Sequence, residues 1–219
     1  MCFSAAASFG TGIVLSLIGV KSIQSAKQKA HYFFACIPVL FAVQQFSEGF
    51  IWLYPTNLST DFWSVFRVYF YLAFAQVIWP FYIPFSFYKL ESNLLRKRFL
   101  YGFTIVGVFT SLLLLFRLVY YPVQVFTEGC HIDYMIGASK WLLVTSGLTY
   151  VMAIVVAPFF SSFRLTKWLA AFNVVSFVCT VFFFRQYLIS VWCFFAAMQS
   201  IVVVLILRTD TNTTILAKK

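Results

Sequence analysis

Charge is what this chain has least of. Asp, Glu, Lys and Arg make up 10% of its 219 residues, and six residues in all are acidic. A water-soluble domain carries about 25% charged residues, so the chain lacks the polar surface such a fold needs. Histidine is scarcer still, at two residues, which rules out a three-histidine zinc hydrolase. His31 and His131 are expected on opposite sides of a membrane, so they cannot pair on a haem inside a helical bundle. No apolar segment carries the interior lysine of a retinal Schiff base, since Lys140 sits at a segment end. The opening Met1-Cys2-Phe3-Ser4 has no basic leader, so a cleaved signal peptide is not expected. Cys2 also lacks the preceding apolar stretch of a lipoprotein cysteine.

What remains is apolar. Hydrophobic residues reach 62% and aromatic ones 21%. At 1.5 Å per residue, runs of about 20 apolar residues cross a hydrocarbon core of about 30 Å. Seven such runs are legible, near 5–23, 31–54, 64–88, 100–121, 140–160, 168–184 and 187–207. An isolated strand would leave its backbone unpaired in lipid, and the runs do not alternate as barrel strands do. The expected fold is therefore an all-α integral membrane protein, a single seven-helix bundle over 1–208 with a short polar tail at 209–219. Only Arg185 and Gln186 separate the last two runs, which leaves open a tight hairpin or one interrupted element.

The net charge of +10 does not point to nucleic acid, because the basic residues punctuate apolar runs instead of lining one face. Their distribution sets an orientation. Lys21, Lys27, Lys29, Lys89, Arg96, Lys97, Arg98, Arg164, Lys167, Arg208, Lys218 and Lys219 fall on one side. Arg67, Arg117, Lys140 and Arg185 fall on the other, which is twelve against four. The richer side is expected in the cytoplasm, with the N-terminus outside and the C-terminus inside. A bacterial inner membrane is the expected location.

The second run holds the densest polar pattern. Gln44, Glu48 and Trp52 recur at i, i+4 and i+8, on one helical face, with Gln45 at its border. A carboxyl group in a membrane span costs at least about 2.5 kcal/mol by insertion scales and normally faces the bundle interior. Interhelical hydrogen bonding could account for part of this pattern, at about 0.6 kcal/mol per contact. Gln76 adds an amide in the third run, just before Trp79-Pro80, and Arg117 or Arg67 could supply a counter-charge for Glu48. Pro80, Pro84 and Pro158 would free helix carbonyls and allow kinks. The site set is thus Gln44, Gln45, Glu48, Trp52, Gln76 and Arg117.

Cys36, Cys179 and Cys193 sit in apolar runs, where cysteine behaves as a small hydrophobe. Cys2 and Cys130 are expected outside, where a disulfide between them would pin the N-terminus to the longest connection, near Pro122 to Ser139. The rival reading is a metal ion at the outer face on Cys2, Cys130 and His131, with carboxylates such as Glu128 or Asp133 nearby.

The N-terminal Met1-Cys2-Phe3-Ser4-Ala5 with Ala7-Ser8-Phe9 resembles the opening of a mainly bacterial family of multi-span membrane proteins of unknown function. The resemblance continues through Gln44-Gln45, Glu48-Gly49 and Trp52, and through Gly129-Cys130-His131-Ile132. It covers about the first 135 residues and implies a compact multi-span protein with no stated activity. The expected function is an outward-facing polar pocket for a small ligand, lipid or ion, in a transporter or sensor. The alternatives are a membrane thiol or metal enzyme using Cys130-His131, or a structural subunit of a larger membrane complex. Membrane lipids are expected partners, and the sequence names no protein partner or oligomeric state.

Overall fold

The computed structural model describes residues 4–54, 61–129 and 131–216, without the side chains of Glu128 and residues 210–216. It holds seven helices long and apolar enough to cross a membrane: α1 (Ala5–Ser25), α2 (Lys29–Leu53), α3 (Phe62–Leu90), α4 (Leu94–Tyr120), α5 (Lys140–Phe160), α6 (Arg164–Phe183) and α7 (Arg185–Thr209). They fall on the seven apolar runs. Helix continues beyond α7 to Leu216. The α6–α7 junction is a tight break at Phe184 followed by one 3-10 turn, Arg185–Tyr187.

Burial separates the helices into two groups. The most apolar stretch of α2 is 67% buried, against 28% for α1 and for α6. Helices α2, α3 and α7 form the centre. The rest surround them and turn large apolar side chains outward, such as Leu17, Val119 and Phe182. Such a surface suits hydrocarbon and not water. The peripheral helices pack through small residues. Ser8, Gly12, Leu15, Gly19 and Ser22 form the buried stripe of α1. On α4, a Cβ at Gly107 would stand 2.1 Å from the Pro80 carbonyl oxygen, so only glycine permits that approach to α3.

Two helices widen just before a proline. Pro80 has no N–H to donate, and α3 widens to a π-helical stretch over Ala73–Ile78 just before it. Carbonyls exposed there find hydroxyls elsewhere: Tyr150 donates to Ala75 at 2.7 Å and Ser111 to Val77 at 2.6 Å. In α5, Met152–Val156 widens in the same way before Pro158. The Ile154 carbonyl that Pro158 cannot reach accepts from Asn173 Nδ2 at 3.3 Å.

One element lies outside the all-helical expectation. The connection after α4 is a β-hairpin, β1 (Val123–Glu128) paired antiparallel with β2 (His131–Ile136). Val123, Val125, Ile132, Tyr134 and Ile136 share its inner face and are buried against Ile51, Val68, Tyr71 and Leu118. Gly129 makes the turn at φ 57°, in the left-handed region. The hairpin therefore caps one end of the bundle. The opposite end is tied by Glu91, 1% exposed. Its carboxylate accepts from Asn93 N (2.9 Å), Ser162 N (2.7 Å) and Ser162 Oγ (2.6 Å), joining the α3–α4 turn to the α5–α6 turn.

Candidate functional site

Beneath the hairpin, α2 turns three large polar side chains inward. Gln44 and Gln45 are fully buried and Glu48 is 2% exposed. Helical spacing puts them on adjoining faces, and each meets a different neighbour. Gln44 Oε1 accepts from Trp79 Nε1 at 2.6 Å, and Trp79 also stacks on Phe41 with ring centroids 3.9 Å apart. Glu48 Oε1 accepts from Ser190 Oγ of α7 at 2.5 Å. Gln45 and Tyr71 adjoin the Glu48 carboxyl as well. Neither the Gln45 amide nor the Tyr71 hydroxyl has a hydrogen-bond partner of good geometry.

The nest is closed from above and from the side. Tyr134 of β2 stacks on Tyr71 at 5.0 Å with planes 16° apart, and its own hydroxyl is buried without a partner. Burial, with the Glu48 carboxyl as a second cause, holds the Tyr134 hydroxyl well above its usual range, so it stays a protonated donor. Cys193, one helical turn from Ser190, adjoins both Gln44 and Tyr71. Four elements, α2, α3, β2 and α7, thus converge on one carboxyl, and among the described residues several of their polar atoms have no hydrogen-bond partner of good geometry. Buried polar groups in folded proteins are nearly all paired, so this concentration is unusual.

Neither arginine supplies the counter-charge expected for Glu48. Arg117 donates from Nε to the Gly137 carbonyl (3.1 Å) and from Nη2 to the Ile136 carbonyl (2.6 Å), which fixes the end of the hairpin. Arg67 donates to Ser64 Oγ at 3.0 Å and lies over the Tyr54 ring. The reason is geometric. Arg117 turns to the end of the hairpin and Arg67 to Ser64 and Tyr54, whereas Glu48 meets Ser190 of α7. Gln76 is buried at 7% exposure, its Oε1 without a hydrogen-bond partner among the described residues, and it lines a groove between α4, α5, α6 and α7. Trp52 is half-buried against the hairpin core, its Nε1 buried and unpartnered.

Cys2 and Cys130 lie outside the described residues, and so do the disulfide and the Cys2–Cys130–His131 metal centre expected from the sequence. His131 stacks on Tyr187 at 4.4 Å, which clamps the tip of the hairpin to the α6–α7 turn. Burial holds the His131 imidazole below its usual range.

Sequence reasoning missed Tyr71, Tyr134, Ser190 and Cys193. The alternation Val123-Gln124-Val125 and Ile132-Asp133-Tyr134 about Glu128-Gly129 was a period-two hairpin signal. It would have placed Tyr134 on the inner face. Nothing in the local pattern marks Ser190 as the partner of Glu48, 142 residues away.

A protein-family model described as a family of unknown function (DUF6629) matches residues 1–218. No curated protein and no solved structure matches the chain.

Proposed function

We infer that this chain, which belongs to the family of unknown function DUF6629, is a membrane-embedded binding protein of the transporter or sensor type. Its hairpin end faces outward and its Glu91 end faces the cytoplasm, as the twelve-to-four division of basic residues supports. Glu48 is the acceptor at the centre of the site, taking a proton or a small cationic ligand. Gln44, Gln45, Tyr71, Tyr134 and Ser190 supply the surrounding polar atoms.

One observation carries this reading. Among the described residues, a carboxyl group 2% exposed within an apolar helix has one hydroxyl donor of good geometry and no cationic partner. An uncompensated charge at that depth costs several kcal/mol, so the group needs a proton or a cation for company. The unmet amides and hydroxyls beside it are the ligand set that such a guest would use. The hairpin and its Tyr134 form the cover, and the widened stretches at Ala73–Ile78 and Met152–Val156 give the bundle places to bend below it.

The test is ligand-dependent stability in lipid nanodiscs. Wild-type protein should shift its unfolding temperature with pH, or with added sodium, potassium or a small ammonium ion. Glu48→Gln should lose the response to cations, and keep only the part of the pH response that other groups such as His131 supply, while still folding. Equal responses in the two proteins would overturn the reading.

A further inference from the structure

We propose that the groove between α4, α5, α6 and α7 at the hairpin end holds one anionic phospholipid, with its phosphate at Arg117 and Arg185 and an acyl chain running inward. The proposal goes beyond the Glu48 reading: the groove borders the Glu48 nest at Tyr134 and Cys193, but its charged lining is Arg117 and Arg185.

The groove is about 520 Å³, within the range of about 300–1,000 Å³ typical of ligand sites. Its floor and walls are apolar, from Leu114, Leu143, Val151, Phe177, Leu188 and Ile189. Its mouth is cationic. Arg117 and Arg185 both line it, and no acidic residue does among those described. Arg117 is held in place by two hairpin carbonyls through Nε and Nη2, which leaves Nη1 to donate. Arg185 is exposed, with no hydrogen bond or ion pair among the described residues, and can close on a phosphate from the other side. A phosphate between two guanidinium groups is a strong charge-assisted arrangement. Asp133 lines a neighbouring depression against the hairpin that Arg117 and Arg185 also line, so one carboxylate lies on the far side of the cationic mouth.

Two further features fit a lipid better than a free anion. Gln76 Oε1 is buried and unpartnered on the groove wall, where a glycerol hydroxyl or bound water could donate to it. The groove also shares Tyr150, Trp192 and Cys193 with a deeper cavity of about 60 Å³ lined largely by Phe41, Trp79, Ile83, Phe87 and Ile154. A free anion has no use for the apolar walls of the groove, whereas an acyl chain would lie against them. Gly147 opens the wall on the α5 side, since a Cβ there would meet nothing within 4 Å.

Native mass spectrometry tests this after reconstitution into nanodiscs of phosphatidylglycerol or of phosphatidylcholine with matched chains. Wild-type protein should retain one phosphatidylglycerol through detergent washing, and retain phosphatidylcholine about tenfold less. Arg185→Gln should abolish that preference. Gly147→Leu should reduce retention of both lipids with its unfolding temperature unchanged, because the added side chain enters the groove and not the protein. Equal retention of the two lipids by wild-type protein would overturn the proposal, as would full retention by Gly147→Leu. So would retention of glycerol phosphate alone in place of the lipid, which would mark a site for free anions only.

Discussion

Two glutamates in this chain are equally buried and differently kept. Glu91 is 1% exposed and Glu48 2%. Glu91 receives two backbone N–H groups and a hydroxyl, and its carboxylate joins two turns. Glu48 receives one hydroxyl while amides and phenols stand by unmet. Burial alone therefore does not mark a functional acid. What separates the two is satisfaction: the Glu91 carboxylate is filled by donors that join two turns, whereas polar atoms beside Glu48 have no hydrogen-bond partner of good geometry among the described residues.

The largest effect should come from Glu91→Ala. It orphans three donors, two of them backbone, at about 1 kcal/mol or more each, so the loss should be about 3 kcal/mol. Glu48→Ala removes the partner of a single hydroxyl and should cost about 1 kcal/mol. Denaturant unfolding in detergent micelles measures both, and equal losses would break the comparison. At the next level, Ser190→Ala should cost about 1 kcal/mol and also change the response to cations. Ser162→Ala should cost about as much with no such change, because its backbone N–H still reaches Glu91.

The smallest effect is one of pH. Burial lowers the His131 affinity for a proton in the folded state, while the unfolded chain titrates near about 6.5. Below that value the unfolded state binds more protons than the folded one. Stability from His131 is thus complete above about pH 6.5 and declines as pH falls toward the folded value. Hydrogen exchange should show the hairpin loosening under mild acid before the Glu91 end does. His131→Gln should remove that difference.

The comparison also explains what could be read from the sequence. The seven helices were legible because each apolar run is long enough to satisfy its own backbone, and no distant contact is needed to specify it. Gln44, Gln45 and Glu48 were legible because one helix carries them at a known period. Their partners were not. Ser190 and Cys193 reach the site through the rotation of α7 against α2, which no spacing encodes. The pairing of Glu48 with an arginine failed for the same reason: the sequence supplies the charges, but helix crossing decides which of them meet. The hairpin was within reach, since its alternation is visible from Val123 to Ile136. Between long apolar runs it reads first as a polar connection, although its buried face supplies Tyr134.

The most direct test of the central claim is infrared difference spectroscopy of protein in nanodiscs as pH is stepped or sodium is added. A carboxylic C=O band should change with the step, shift in Ser190→Ala and be missing in Glu48→Gln. A spectrum unaltered by Glu48→Gln would contradict the claim and would make Glu48 a second structural acid, like Glu91.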